Sequence, residues 1–425
     1  MRLPFCTVAA LSILVAGLAR GEPARPDVSF EEKLLGTLPE TKGADEEYGD
    51  PEFAPDGKSV AFVVKKGGKS YVVVGDKKGE EFDSADLNPL IGQSSFSEDG
   101  RVLAYRARKG DKRFVVVGDR KGEEFEGVGH PFLSPDGKVV AYAASKGGMQ
   151  FMVVGDKKGE AFQSVFDPVF SPDGKVVAYI AINSDEDKGL VVVGDKKCKA
   201  FDSVSDIRFS PDGTVVTYAA RNGDKGLLVV GDKIQEFDHQ VWAPCMAADG
   251  KVLAYAAREY GKCFVVLGGK RGEEFAGVKD LIVSPDGELV AYRAQNAGTA
   301  WCVVVGDKRG EAFDMVGEPV FSPDGKRVAY IASWTDTKAG QAGCVVVGDQ
   351  KGEEFEGVGD PVFSPDGKVV AYRAKKGGKE FIVVGEKKGE PFDAVRRPVF
   401  SPDGTKVAYG AKKGRELWWK VMDVK

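Results

Sequence analysis

The stretch FSPDGKVVAY at residues 363–372, followed by RAKKGGKEFIVVGEKKGEPFDAV at 373–395, decides the fold. Pro365 presets φ, Asp366 can hydrogen-bond its own backbone and Gly367 accepts a positive φ, so 365–367 is a turn. The strands expected on either side are 361–364 and 368–374, the second rich in Val, Ala and Tyr. Residues 375–379 are polar and glycine-rich and read as a loop, 381–384 as a third strand, 385–389 as a tight turn and 391–394 as a short fourth strand. Nothing in the unit has helical periodicity. Four short antiparallel strands in a unit of about forty residues make one blade of a β-propeller.

The same phrase recurs along the chain. It appears as FAPDGKSVAF (53–62), FSEDGRVLAY (96–105), LSPDGKVVAY (133–142), FSPDGKVVAY (170–179) and FSPDGTVVTY (209–218). It continues as MAADGKVLAY (246–255), VSPDGELVAY (283–292), FSPDGKRVAY (321–330), the 363–372 copy and FSPDGTKVAY (400–409). The turn aspartates are 43, 37, 37, 39, 37, 37, 38, 42 and 37 residues apart, a period that marks a closed or stacked repeat array. The expected fold is all-β, a propeller of ten four-stranded blades occupying residues 45–425. The tenth unit stops at its third strand, and residues 46–51 match 353–361 in shortened form. The N-terminal segment is therefore expected to supply the outer strand of the last blade, which removes the free sheet edges.

Upstream, Arg2 and the apolar run 3–19 have the layout of a signal peptide, expected over 1–21 with a linker over 22–44. The protein is accordingly expected in the periplasm or outside the cell, with no membrane span once the signal is cleaved. Cys198, Cys245, Cys263, Cys302 and Cys344 are odd in number and irregular in spacing, so no disulfide framework is expected. Cys302 and Cys344 occupy equivalent places in neighbouring units and read as small core residues. No pair has zinc-ligand spacing, and neither a metal nor a cofactor is expected. The net charge of -5 and the lysines interleaved with acids indicate a mixed, solvated surface and no nucleic-acid partner. A monomer is expected.

The phrase F-S-P-D-G-K-x-V-A-Y, a loop, then F-x-V-V-G-D-K-x-G resembles the WD-like propeller repeat of the TolB C-terminal domain, from roughly residue 45 to the end. That family pairs a smaller propeller with an N-terminal α/β domain absent here. Similar propellers also cap prolyl-oligopeptidase-type peptidases, but no hydrolase domain follows. The resemblance implies a periplasmic or secreted interaction module.

Candidate functional residues come from comparing the repeats with one another. The SPDG and GDKKGEE turns on one face are nearly uniform and read as scaffold. On the opposite face, residues 183–189 and 334–343 enlarge one loop and 84–95 enlarge another. Trp242, Trp334, Tyr260, His130, His239, Phe166, Arg396 and Arg397 stand there where other units carry small or acidic residues, and aromatics and arginines are the usual anchors of interfaces. Asp50, Asp167, Asp206, Asp280, Glu318 and Asp360 occupy equivalent sites and are expected to ring one mouth of the channel, where they would attract a cation or a basic peptide. Their alternative role is as turn residues before proline. No nucleophile has a histidine base in an equivalent place, and no catalytic residue is assigned. The function expected is a non-catalytic, exported scaffold for a protein or cell-envelope component. A metal-dependent hydrolase or lyase at the acidic mouth, and a chiefly structural surface protein, are the other readings.

Overall fold

A computed structural model describes residues 28–40, 45–87, 94–166, 168–183, 188–247, 250, 253–296, 298–336 and 340–424. The expected signal segment 1–21 lies outside them. Each repeat forms one antiparallel sheet, and the ninth is representative. Its strands are Gly357–Phe363 inside, then Val370–Lys376, Lys379–Val384 and Lys387–Lys388, the last extended by Phe392 bridging to Glu380. The inner strand thus begins at Gly357, upstream of Pro361. The proline removes one ladder donor, and the chain absorbs the loss in a bulge between Gly359 and Val362 instead of ending the strand. Ala394, expected to end the fourth strand, belongs with Val395 to the next blade's inner strand.

The turn between the inner and second strands is built around a serine. Ser364 Oγ donates to Asp366 Oδ1 (2.6 Å) and accepts from the Val369 amide (2.9 Å). Asp366 Oδ1 also accepts from the Lys368 amide (3.1 Å), and the Gly367 amide donates to the Ser364 carbonyl (2.8 Å). Ser97, Ser134, Ser171, Ser210, Ser284, Ser322 and Ser401 repeat this pattern and are buried with their hydroxyls satisfied. Glycine ends the turn for two reasons at Gly137: φ is 68°, and a Cβ there would lie 2.8 Å from Ser97 Cβ of the preceding blade. The turns therefore nest on one another from blade to blade.

There are ten such sheets. The ring is closed by Lys33–Thr37, which pairs antiparallel with Glu416–Asp423, the third strand of blade 10. This corrects the expected position of the closing strand. It lies within the segment read as linker, whereas Glu46–Tyr48 forms part of the inner strand of blade 1. The closing segment is apolar where it matters: Leu38 and Leu35 are buried with Val60 and Phe62 of blade 1 and Leu417 and Trp419 of blade 10.

Apolar packing runs between blades rather than through one common centre. The buried clusters each join two neighbouring blades, and all ten junctions have one. The outer-strand phenylalanine is the plug. Phe355 of blade 8 meets Tyr372 (6.3 Å, edge-on) and Phe381 (5.6 Å, edge-on) of blade 9, with the Lys388 ammonium 5.5 Å above its ring. Lys388 also pairs with Glu353 at 2.6 Å, and Lys351–Glu311 and Arg309–Glu273 repeat that link. The alternating charges of the GDKKGEE segments are thus an inter-blade belt. Burial pushes the Tyr372 phenol up to about 12. Where Cys344 supplies no ring, Trp334 stacks on Phe313 at 5.8 Å. Cys302 and Cys344 are fully buried core residues, and all five described cysteines are free thiols.

Candidate functional site

The sequence-predicted aromatic and basic residues are spread around the ring, with three of them at blade 6. His239, Trp242 and Tyr260 belong to blade 6 or the crossing into it. His239 packs on Phe237 (5.3 Å) and Phe264 (5.7 Å), while Phe237 itself meets Tyr255 (5.3 Å) as the plug between blades 5 and 6. Tyr260 is 97% exposed, at a hairpin tip with φ 47°. Trp334 is a packing residue on blade 8. Residues 334–343, expected as an enlarged loop, instead lengthen a hairpin, since Val328–Asp336 and Gly340–Val347 pair through to Asp336 opposite Gly340. Arg396 of blade 10 donates to the Pro51 carbonyl of blade 1 (3.0 Å) and ties the junction where the ring closes, while Arg397 beside it is exposed. His130 of blade 3 is half-buried; burial, and then the Arg106 guanidinium, hold its imidazole below its usual range. Phe166 is 48% exposed. Residues 88–93 and 184–187 of the two remaining enlarged loops lie outside the described residues.

The carboxylates expected at the channel mouth sit farther in, part-way along the inner strands. Asp206, Asp280 and Asp360 occupy bulges within Ser203–Phe209, Gly277–Val283 and Gly357–Phe363, each with positive φ (56°, 50° and 55°). Asp50 lies between Glu46–Tyr48 and Glu52–Phe53, and Glu318 between Met315–Val316 and Val320–Phe321. Asp167 lies outside the described residues. The inward shift follows from the early start of the inner strand at residues such as Gly357. Two of these acids have cationic partners in the same blade: Asp280 is paired with Arg293, and Asp360 with Arg373 at 3.4 Å. Arg293 also donates to the Val316 carbonyl (2.9 Å). Burial, and secondarily Asp280, raise the Glu318 carboxyl against the opposing pull of Arg293 and Arg208. The inner wall therefore carries acids and arginines together.

Blades 5 to 7 depart from the repeat. Blade 5 has IQEF where the repeat has KGEEF, one residue shorter and without the glycine. Its outer strand Lys233–Phe237 consequently pairs along its full length with Lys225–Val230. The crossing into blade 6 then runs hard against Gly226, where a Cβ would sit 2.1 Å from the His239 carbonyl oxygen. Arg271, lacking the usual glutamate on blade 5, turns to Glu259 (2.7 Å) and Glu274 (2.6 Å) of its own blade.

Beside this irregular junction lie two open grooves on the face of the variable loops. The first, of about 240 Å³, runs between blades 5 and 6 along Ser203, Ser205, Arg221, Gln240 and Trp242. The second, of about 360 Å³, runs between blades 6 and 7 along Gln240, Trp242, Arg258, Lys279, Gln295 and Trp301. Gln240 and Trp242 line both and form the wall between them. Trp242 is held there because its partner across the ladder is Ala256; at the equivalent Gly359, a Cβ would come within 2.8 Å of Arg373 Nη2. Trp301 stands where other blades carry Ser70, Gln150, Gly189 or Glu380, and Lys279 Nζ lies 5.4 Å from its ring centre. Sequence reading singled out Trp242 but missed Trp301, Gln240, Arg258 and Lys279. Alignment of the repeats on the third strand would have exposed Trp301, while the grouping of the others needs the sheet register. Among the described residues no three His, Cys, Asp or Glu side chains gather as a metal set. No described helix is long and apolar enough to cross a membrane.

The chain is a ten-bladed β-propeller closed by its N-terminal strand. No protein-family model matches it, and no curated protein does. Solved propellers do. The Dos1 propeller aligns over 68% of this chain and 90% of its own at 12% identity and a TM-score of 0.36. An oligogalacturonate lyase in complex with manganese aligns over 68% and 97% at 12% identity and 0.35. TolB from Acinetobacter baumannii aligns over 60% and 76% at 17% identity and 0.26. Likeness at this level carries no argument about activity.

Proposed function

We propose that this protein is an exported, non-catalytic binding propeller that engages a protein or cell-envelope component through its variable face at blades 5 to 7. The observation that carries this reading is the pair of grooves sharing Trp242, beside the junction where the outer segment of blade 5 is shortened and Arg271 turns to its own blade. A half-buried tryptophan flanked by arginine and lysine has the composition of a binding hot spot. The test is affinity capture from native envelope and secreted fractions, comparing the protein with a Trp242→Phe, Arg258→Gln variant of equal melting temperature. A partner held by the first and lost by the second supports the reading. Capture that is identical for both, or absent for both, overturns it.

A further inference from the structure

Taking that face as the binding face, we propose that the two grooves together accept an acidic oligosaccharide, a chain of sugars bearing carboxylate or sulfate groups, laid across Trp242. The first argument is charge. The ionisable residues lining the grooves are Arg221, Arg258, Lys279 and the thiol of Cys263, and no carboxylate lines either groove. This local sign opposes the net charge of -5 for the whole chain. Arg221, Arg258 and Lys279 are exposed, and among the described residues none is in an ion pair, whereas neighbouring acids are engaged: Glu259 by Arg271 and Asp280 by Arg293. Cations left open on an acidic protein select an anionic ligand.

The second argument is the rest of the lining. Ser203, Ser205, Gln240 and Gln295 offer hydroxyls and amides that donate and accept, as sugar hydroxyls require. Trp242 and Trp301 offer flat apolar faces for the C–H surfaces of a pyranose ring. The third argument is length. Arg221 lies on one side of the shared wall, and Arg258 and Lys279 on the other, so a ligand reaching all three is an oligomer with repeated negative charge.

The experiment is calorimetric titration of the whole protein with alginate oligosaccharides (carboxylate) and heparin oligosaccharides (sulfate), with dextran oligosaccharides and poly-glutamate alongside. Variants are Arg221→Gln/Arg258→Gln/Lys279→Gln and Trp242→Phe, each checked for unchanged melting temperature. We expect saturable binding of at least one anionic sugar, weakened by added salt, about tenfold or more weaker in the triple variant, and no binding of dextran. Whichever anionic sugar binds tells carboxylate from sulfate recognition. The proposal is overturned if neither anionic sugar saturates, if dextran binds equally, or if the triple variant binds as the native protein does. It is likewise overturned if poly-glutamate binds more tightly, in favour of an acidic protein partner. The envelope capture separates the two levels: a variant-sensitive partner without sugar binding sinks only the sugar, while loss of both sinks the binding face as well.

Discussion

Leu38 is a sharp test of how the ring is closed. It is fully buried in the cluster that joins blade 10 to blade 1, beside Leu35, Phe62, Leu417 and Trp419. Its amide donates to the Arg415 carbonyl (2.8 Å), and upstream of the closing strand the Ser29 carbonyl accepts from Trp419 Nε1 (2.7 Å). Leu38→Ala removes a buried isobutyl group and leaves a cavity walled by two blades, a loss of about 2–5 kcal/mol. Leu34, on the same closing strand, is 42% exposed, and Leu34→Ala should cost under about 0.5 kcal/mol. The assay is urea unfolding followed by tryptophan fluorescence, with midpoints and slopes compared between both variants and the native protein. We expect Leu38→Ala to lower the midpoint well beyond Leu34→Ala at a similar slope. Equal midpoints for the two variants would refute docking of residues 33–38 as the clasp of the ring.

The nesting of turns predicts that Gly137→Ala, with φ 68° and a Cβ 2.8 Å from Ser97, lowers the melting temperature more than Gly147→Ala, which shares a positive φ (62°) but meets nothing within 4 Å. Calorimetry of the two variants checks it, and equal losses would mean the turns do not nest. At low pH, hydrogen bonds from Lys138 and Ser134 hold Asp136 down to about 2, and those led by Ser171 and Ser401 do the same for Asp173 and Asp403. Because these folded values lie below the unfolded one of about 4, the stability they confer is present above pH 4 and lost as pH falls towards 2. Melting temperature against pH should decline through that window, and less steeply after Ser171→Ala. At high pH the sign reverses: burial raises Tyr105, Tyr142, Tyr179, Tyr330 and Tyr372 to about 12. Their contribution is present below an unfolded pKa of about 10 and lost as pH rises towards 12, so ultraviolet titration should show phenolate appearing together with unfolding in that range.

The sequence discloses the fold because one local rule is repeated ten times. Each SPDG turn carries its own conformational instructions, and each VAY strand its own pattern, so blade number and strand order follow without knowledge of any long-range contact. The pieces that escape are those set by pairing partners far away in the chain. Lys33–Thr37 has no repeat signature, since KLLGT shares nothing with GEEF, and it is recruited by Glu416–Asp423 nearly four hundred residues later. The inner strand's early start at Gly357 was hidden because Pro361 reads locally as a boundary, while the ladder to Lys375 and Arg373 carries the strand through it. The local reading of the turn used only Pro, Asp and Gly; the serine's bond to the Val369 amide five residues on shows that it closes the turn.

The same reasoning says where to expect function in an array of this kind. Uniform repeats make uniform junctions, and a junction filled by a phenylalanine plug, a tyrosine and a lysine cap leaves no room for a ligand. An opening needs that rule to be broken, and the break must be compensated nearby for the ring to stay closed. Blade 5 shows both halves. The lost glycine of its outer turn straightens Lys233–Phe237, and His239 takes over the packing against Phe264, so the core at that junction remains filled. Arg271 is then left to its own blade, and the cations Arg221 and Arg258 remain at the surface beside Trp242. A carboxylate ring was the more conspicuous pattern in the sequence because equivalent positions draw the eye. In the structure, Asp280 and Asp360 are answered by Arg293 and Arg373 within their own blades. Restoring KGEEF in place of IQEF should therefore do two things at once: rebuild the regular plug and reposition Trp242, closing the grooves while raising the melting temperature. If the restored protein binds its ligand as before, the irregular junction is drift and the working face lies elsewhere on the ring.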